Sequence, residues 1–233
     1  MTAYIVLAYE DHVTVYSDGA SYDDNGIYGA PQFKVDALPH INALVCTRGS
    51  GGMGMLLKQR LGTYQSFSDM KMMMHVELLG AATDAYAMGD DINQEVIVAG
   101  IPDYDGMPEI YSTFIAGENL LDRQEGSLEI TDRGRFYAVP GFTQEDFDAA
   151  GLPELMTTGT AEEFYIAYME TMRAKPHRLH RKNSLVGCNV GGFIAKTVLH
   201  RGVTATQIIH RWPDVIGQPL NGVQPYAEEE EAA

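Results

Sequence analysis

The order in which hydrophobic periodicity changes along the chain is its strongest constraint. Tyr4-Ile5-Val6-Leu7-Ala8-Tyr9 and His12-Val13-Thr14-Val15-Tyr16 read as two β-rich runs separated by a Glu10-Asp11 turn. Asp23-Asp24-Asn25-Gly26 is a second turn signal, and short strands are expected over Gln32–Val35 and Asn42–Thr47. The period then switches. Arg48-Gly49-Ser50-Gly51-Gly52 is a glycine-rich strand-to-helix junction, followed by a helical pattern over Met53–Tyr64. Ser66 can cap a second helix reaching to about Met88. Strand patterns return at Glu95–Ala99, Glu109–Ala116, Ser127–Thr131 and Arg135–Val139. A third helix fits Thr160–Ala174, with Thr160 and Glu163 as a capping box. Gly192–Leu199 and Val203–Arg211 form the last two strands, joined by His200-Arg201-Gly202. Strands, two helices, strands, one helix, strands is not an alternating βαβ order, so a doubly wound parallel sheet is disfavoured. Two mainly antiparallel sheets packed together with helices outside fit better. The buried faces should include Ile5, Leu7, Val13, Val15, Val45 and Val98. No linker divides the pattern, so residues 1–220 read as one domain, and 221–233, with Glu228–Glu231, as an acidic solvated tail.

Composition narrows the partners. Of 233 residues, 45% are hydrophobic, which supplies a sizeable core. Asp and Glu outnumber Lys and Arg by 32 to 16, and a net charge of −16 argues against nucleic acid and against an anionic membrane surface. No apolar run reaches the ~20 residues that span a bilayer, and Met1-Thr2-Ala3-Tyr4 carries no signal-peptide features, so a cytoplasmic location is expected. Cys46 and Cys188 lie in apolar contexts and read as a reduced, buried pair. No Cys/His spacing matches a zinc site, and neither metal nor cofactor is expected. His177 and His180 fall in the basic stretch Arg173–Lys182, which reads as a solvated helix end and loop interrupted by Pro176. The methionine-rich run Met70–Met74 reads as adaptable packing on a buried helix.

Three polar residues stand out by spacing. Thr2 becomes N-terminal if Met1 is removed, Asp18 closes the second strand 16 residues later, and Lys34 follows Thr2 by 32. With Val13-Thr14-Val15-Tyr16-Ser17-Asp18-Gly19-Ala20, and with the turn Thr47-Arg48-Gly49-Ser50-Gly51 opening the first helix, this pattern resembles the proteasome β-subunit group of N-terminal nucleophile (Ntn) hydrolases, including the HslV peptidase. The likeness is strongest over residues 2–60 and continues as element order, through Val190-Gly191-Gly192, to about residue 212. It implies a four-layer αββα sandwich, α+β in class, a peptide or amide substrate, and assembly into a homo-oligomer or ring. It assigns Thr2 as nucleophile, Lys34 and Asp18 as its supporting charges and Gly49 as the oxyanion donor. Where the family carries a further Asp and Ser, this chain reads Gly187-Cys188-Asn189-Val190; the segment before the third helix is matched only by Pro140-Gly141, and Gly49 falls one residue late.

The chemistry asks for these residue types. A threonine hydroxyl needs a base, and an α-amine with a reference pKa of roughly 7.7–8.0 can serve near neutrality. A nearby ammonium lowers the pKa of that amine, and backbone N–H groups at a helix start can hold an oxyanion. Three readings follow: a threonine-type peptidase, a small-molecule amidase with the same nucleophile, and a catalytically inactive structural subunit of a larger assembly, such as a phage-tail particle.

Overall fold

A computed structural model describes residues 2–103, 106–117, 119–179, 185–222 and 225–227. The first half of the chain runs β1 (Tyr4–Ala8), β2 (Val13–Asp18), β3 (Val35–Leu38), β4 (Ala43–Gly49), α1 (Gly51–Leu61), α2 (Phe67–Ala87), β5 (Gln94–Gly100) and β6 (Glu109–Ile115). The second half runs β7 (Thr131–Asp132), β8 (Phe136–Val139), α3 (Gln144–Ala149), α4 (Leu152–Thr158), α5 (Ala161–Ala174), β9 (His177–Arg178), β10 (Leu185–Gly187), β11 (Phe193–His200), β12 (Val203–Arg211) and β13 (Tyr226–Ala227). Two five-stranded sheets form, β12-β11-β2-β1-β8 and β3-β4-β5-β6-β7, beside a small β13-β10-β9 sheet, and all the pairings are antiparallel. The expected tail residues Glu228–Glu231 lie outside the described residues, as does Met1.

Period-two alternation sorts the strand side chains into layers. In β4 and β5, Ala43, Val45, Val96 and Val98 point to one face, where α1 and α2 cover them with Met53, Leu57, Met70 and Met74. Their neighbours Leu44, Cys46, Ile97 and Ala99 point the other way and meet Tyr4, Val6, Val13 and Val15 between the two sheets. On the far face of the first sheet, Ile5, Leu7, Tyr16 and Ile194 pack against Leu152 of α4 and Tyr168, Met169 and Met172 of α5. The result is the expected αββα sandwich. Each fully buried large apolar side chain contributes roughly 1.5–3 kcal/mol. The six residues expected in the core are all buried, but they divide among three layers: Ile5 and Leu7 under α4 and α5, Val13 and Val15 between the sheets, Val45 and Val98 under α1 and α2. The methionine run divides likewise, with Met70 and Met74 in the core and Met72 and Met73 exposed.

Local expectations shift in four places. The third strand begins at Val35, because Gln32 N–H donates to the Gly19 carbonyl (2.9 Å) and holds the preceding segment against the turn after β2. The strand expected over Ser127–Thr131 shrinks to Thr131–Asp132, since turn residues with Leu128 at φ 71° precede it. Two short helices, α3 and α4, occupy a stretch with no assigned structure in the sequence reading; Thr143 and Asp146 make a capping box on α3. The small β13-β10-β9 sheet was likewise not expected. No described helix is long and apolar enough to cross a membrane.

Candidate active site

Hairpin register brings the two ends of the N-terminal motif together. Tyr4 pairs with Ser17 across β1 and β2, and Asp18 N–H donates to the Ala3 carbonyl at 3.2 Å. A tight hairpin with this register must seat residue 2 beside residue 18. The Asp18 carboxylate is wholly buried. Its Oδ1 accepts from Ala3 N–H and from Lys34 Nζ, both at 2.9 Å. Its Oδ2 accepts from Lys34 Nζ at 2.8 Å, Ala20 N–H at 3.1 Å and Gly191 N–H at 3.4 Å. Such a set of donors offsets the cost of burying a carboxylate this deep.

Lys34 is buried and lies just before β3, not within a strand as expected. The Tyr4 hydroxyl stands 3.1 Å from the Lys34 carbonyl and 2.9 Å from the Thr47 carbonyl, and its single proton serves one of them at a time. Phe33 packs on Phe193 at 5.2 Å between ring centroids. Burial lowers the Lys34 pKa; the Asp18 charge and hydrogen bonds oppose that, and Lys58 lowers it further. Lys58 itself bonds the Lys34 carbonyl (3.4 Å) and pairs with Asp36.

Thr2, 9% exposed, lines a cleft of about 1430 Å³ together with Lys34, Thr47, Gly49, Ser50 and Tyr137. Asp18 is not part of the lining; it lies beneath, joined to the cleft through Lys34. Gly49 ends β4 at φ +139°, and a Cβ there would stand 2.2 Å from the Asn93 carbonyl oxygen, so only glycine fits. The next residue, Ser50, caps α1 by accepting from Met53 N–H, and Ser50 and Gly51 at the helix start line the cleft. The four residues singled out from sequence therefore gather at one place: Thr2, Lys34 and Gly49 on the cleft wall, Asp18 behind it.

Other contributors were not singled out from the sequence as site residues. Tyr4 fixes the Lys34 backbone, and Gly191 adds a donor to Asp18. The turn bearing Gly191 is itself clamped. Arg173 donates to Asp214 (2.9 and 2.6 Å), to the Val190 carbonyl (2.7 Å) and to Asn221 Oδ1 (3.3 Å), while Asp214 accepts from Gly192 N–H at 2.8 Å. This corrects the solvated reading of the basic stretch: Arg173 is 5% exposed, the last buried residue of α5, and His180–Lys182 lie outside the described residues. Cys46 and Cys188 are free and buried, and burial pushes the Cys46 thiol up to about 12.

Two antiparallel five-stranded sheets between helical layers, with the cleft at the end of β1 and β2, make the chain an αββα sandwich of the α+β class. Solved structures similar to it include two Anbu proteins. One is an Anbu (Gly-1) mutant from Hyphomicrobium sp. strain MC1, at TM-score 0.60 and 11% identity, covering 90% of this chain and 87% of that one. The other is Anbu (ancestral beta-subunit) from Yersinia bercovieri, at TM-score 0.60 and 8% identity, covering 89% and 87%. No family model matches the chain, and no curated protein matches it. The sequence-based assignment to the proteasome β-subunit and HslV family is corrected accordingly. A handful of residues at matching offsets suggested that family, whereas both of these similar structures are Anbu proteins, and at such identities the likeness is one of fold.

Proposed function

We propose that the chain is an N-terminal threonine hydrolase that cleaves amide bonds once Met1 is removed. The observation that carries this reading is the wholly buried Asp18 carboxylate, which ties Lys34 Nζ and Ala3 N–H into one cluster directly behind Thr2. In the proposed reaction the free α-amine of Thr2 takes the proton from its own hydroxyl as Oγ attacks the amide carbon. The Lys34 ammonium keeps that amine neutral near pH 7 by charge repulsion. N–H groups at the Gly49–Ser50 junction hold the oxyanion. Collapse expels the amine product, which takes the proton, and water then hydrolyses the Thr2 ester to regenerate the hydroxyl. The cleft volume favours an extended peptide over a small amide, since it exceeds the ~300–1,000 Å³ of common small-molecule pockets. Self-association belongs to the same reading, supported by exposed apolar side chains along α1 and α2, among them Met55, Met72 and Tyr86.

Intact mass together with mutation tests the proposal. Protein that has lost Met1 should release product from amide substrates and form an adduct on Thr2 with threonine-directed electrophiles, and Thr2→Ala should abolish both. Hydrolysis that survives Thr2→Ala refutes it. One observation favours a second reading, a non-catalytic subunit of a larger particle: residues 187–190 bring no carboxylate or hydroxyl to the site. Met1-free protein that is inert to both probes selects that reading.

A further inference from the structure

At the other end of the first sheet, far from the cleft, two hairpin turns place metal-ligating side chains side by side. Asp11 and His12 sit in the β1–β2 turn, and His200 ends β11 where it enters the β11–β12 turn. Leu199 pairs with Val13 across the sheet, so the ladder, continued by one residue, sets His200 opposite His12. Their rings lie 5.0 Å apart, centroid to centroid. One donor atom from each of Asp11, His12 and His200 lies within 4.8 Å of the other two, and among the described residues this is the one such group of three.

The three are held as well as assembled. Tyr9 N–H donates to the His12 carbonyl at 2.9 Å, closing the first turn, and the Tyr9 ring stacks on the His12 ring at 4.4 Å. The Asp11 carboxylate stands 2.7 Å from His12 Nδ1, so these two donor atoms already face each other. The pairing of His200 with Val203 and the positive φ of Gly202 fix the second turn. A tetrahedral ion with ligands at ~2.0–2.2 Å needs donor atoms roughly 3.3–3.6 Å apart; here Asp11 and His12 Nδ1 are 2.7 Å apart and the whole set lies within 4.8 Å.

We infer that Asp11, His12 and His200 form a zinc site, completed by water, that staples the two hairpins together. Two imidazoles and one carboxylate suit zinc and its first-row neighbours and are poorly matched to Mg²⁺ or Ca²⁺, which demand oxygen ligands. No local spacing could show this set, because 188 residues separate the two histidines and only the β2–β11 pairing unites them. Asp18 lies six positions after His12 along β2, roughly 20 Å of extended chain, so the staple is independent of the proposed hydrolase.

The test is titration of untagged full-length protein with ZnCl₂ by calorimetry, with Co²⁺ as a spectroscopic probe. One zinc per chain should bind in the low micromolar range, Co²⁺ should show the intense visible bands of tetrahedral coordination, and zinc should raise the thermal midpoint. His12→Ala and His200→Ala should each weaken binding about tenfold or more and abolish the thermal shift, while His210→Ala, outside the set, should change neither. His200→Gln provides a polar replacement at this exposed turn, and circular dichroism verifies the fold of each variant. Failure of zinc to bind below millimolar concentration, or binding that folded His12 and His200 variants retain, overturns the inference.

Discussion

Asp18 and Lys34 are complementary charges that folding removes from water together. Their pairing offsets the desolvation each suffers, but only while both are present. Asp18→Asn should therefore destabilise the protein by roughly 3–5 kcal/mol, because it strands a buried ammonium. Adding Lys34→Met should recover part of that loss, since no charge is then left unpaired. Urea unfolding of the two single variants and the double variant measures the coupling. Wild-type stability in Asp18→Asn would show that the pair does not hold this end of the sheet. The offsets of the motif were legible because hairpin register is local. Ala3 and Asp18 must face each other if β1 and β2 pair through a short turn, and they do. The Lys34 contact was less legible, since it depends on how the chain between β2 and β3 folds back on Gly19.

At the scale of elements, the β4–α1 junction concentrates conformational demand. Gly49 combines a positive φ with a backbone oxygen 2.2 Å from where a Cβ would stand. Gly49→Ala must move the Asn93–Gln94 backbone or the strand end. It should cost at least about 1–3 kcal/mol and displace the start of α1. Thermal unfolding measures the cost, and an unchanged midpoint would contradict this account. If the proposed chemistry holds, the same variant should lose most of its turnover, because the N–H groups beside the cleft move with the backbone. The glycine-rich run marked this junction in the sequence. The short helices α3 and α4 were not legible, although Thr143 and Asp146 carried a capping signal, because six- and seven-residue helices are too brief to display a helical period.

At the scale of the whole molecule, Arg173 and Asp214 join the end of α5, the turn before β11 and the segment after β12. Burial alone would raise the Asp214 pKa; the Arg173 guanidinium and the N–H groups of Gly192 and Asn221 overcome that and hold it below the ordinary 3.8. A folded-state pKa below the unfolded value means that the unfolded chain binds the proton first. The pairing therefore stabilises fully above about pH 3.8, and its contribution is lost as pH falls through the lowered value. Asp214→Asn should cost roughly 3–5 kcal/mol near neutrality and lose that deficit progressively below about pH 4. Denaturant midpoints of wild type and variant across acid pH test this, and a deficit that stays constant with pH would rule out the charge as its source.

What the sequence determined by itself was local in origin: strand alternation, helix periods, caps and glycine junctions, and with them the class of sandwich and the hairpin that aligns residue 3 with residue 18. Each arises from neighbours along the chain, whose spacing in sequence is their spacing in space. Tertiary structure alone decided the rest. It turned Arg173 from an expected solvated end into a buried clamp on a residue 41 positions away. It set Tyr4 and Gly191 around the Asp18–Lys34 pair, and it faced His12 with His200 across two strands from opposite ends of the chain. Such partners meet because sheets bury their faces and pair their edges, and that packing brings together residues whose distance in sequence carries no trace of the contact.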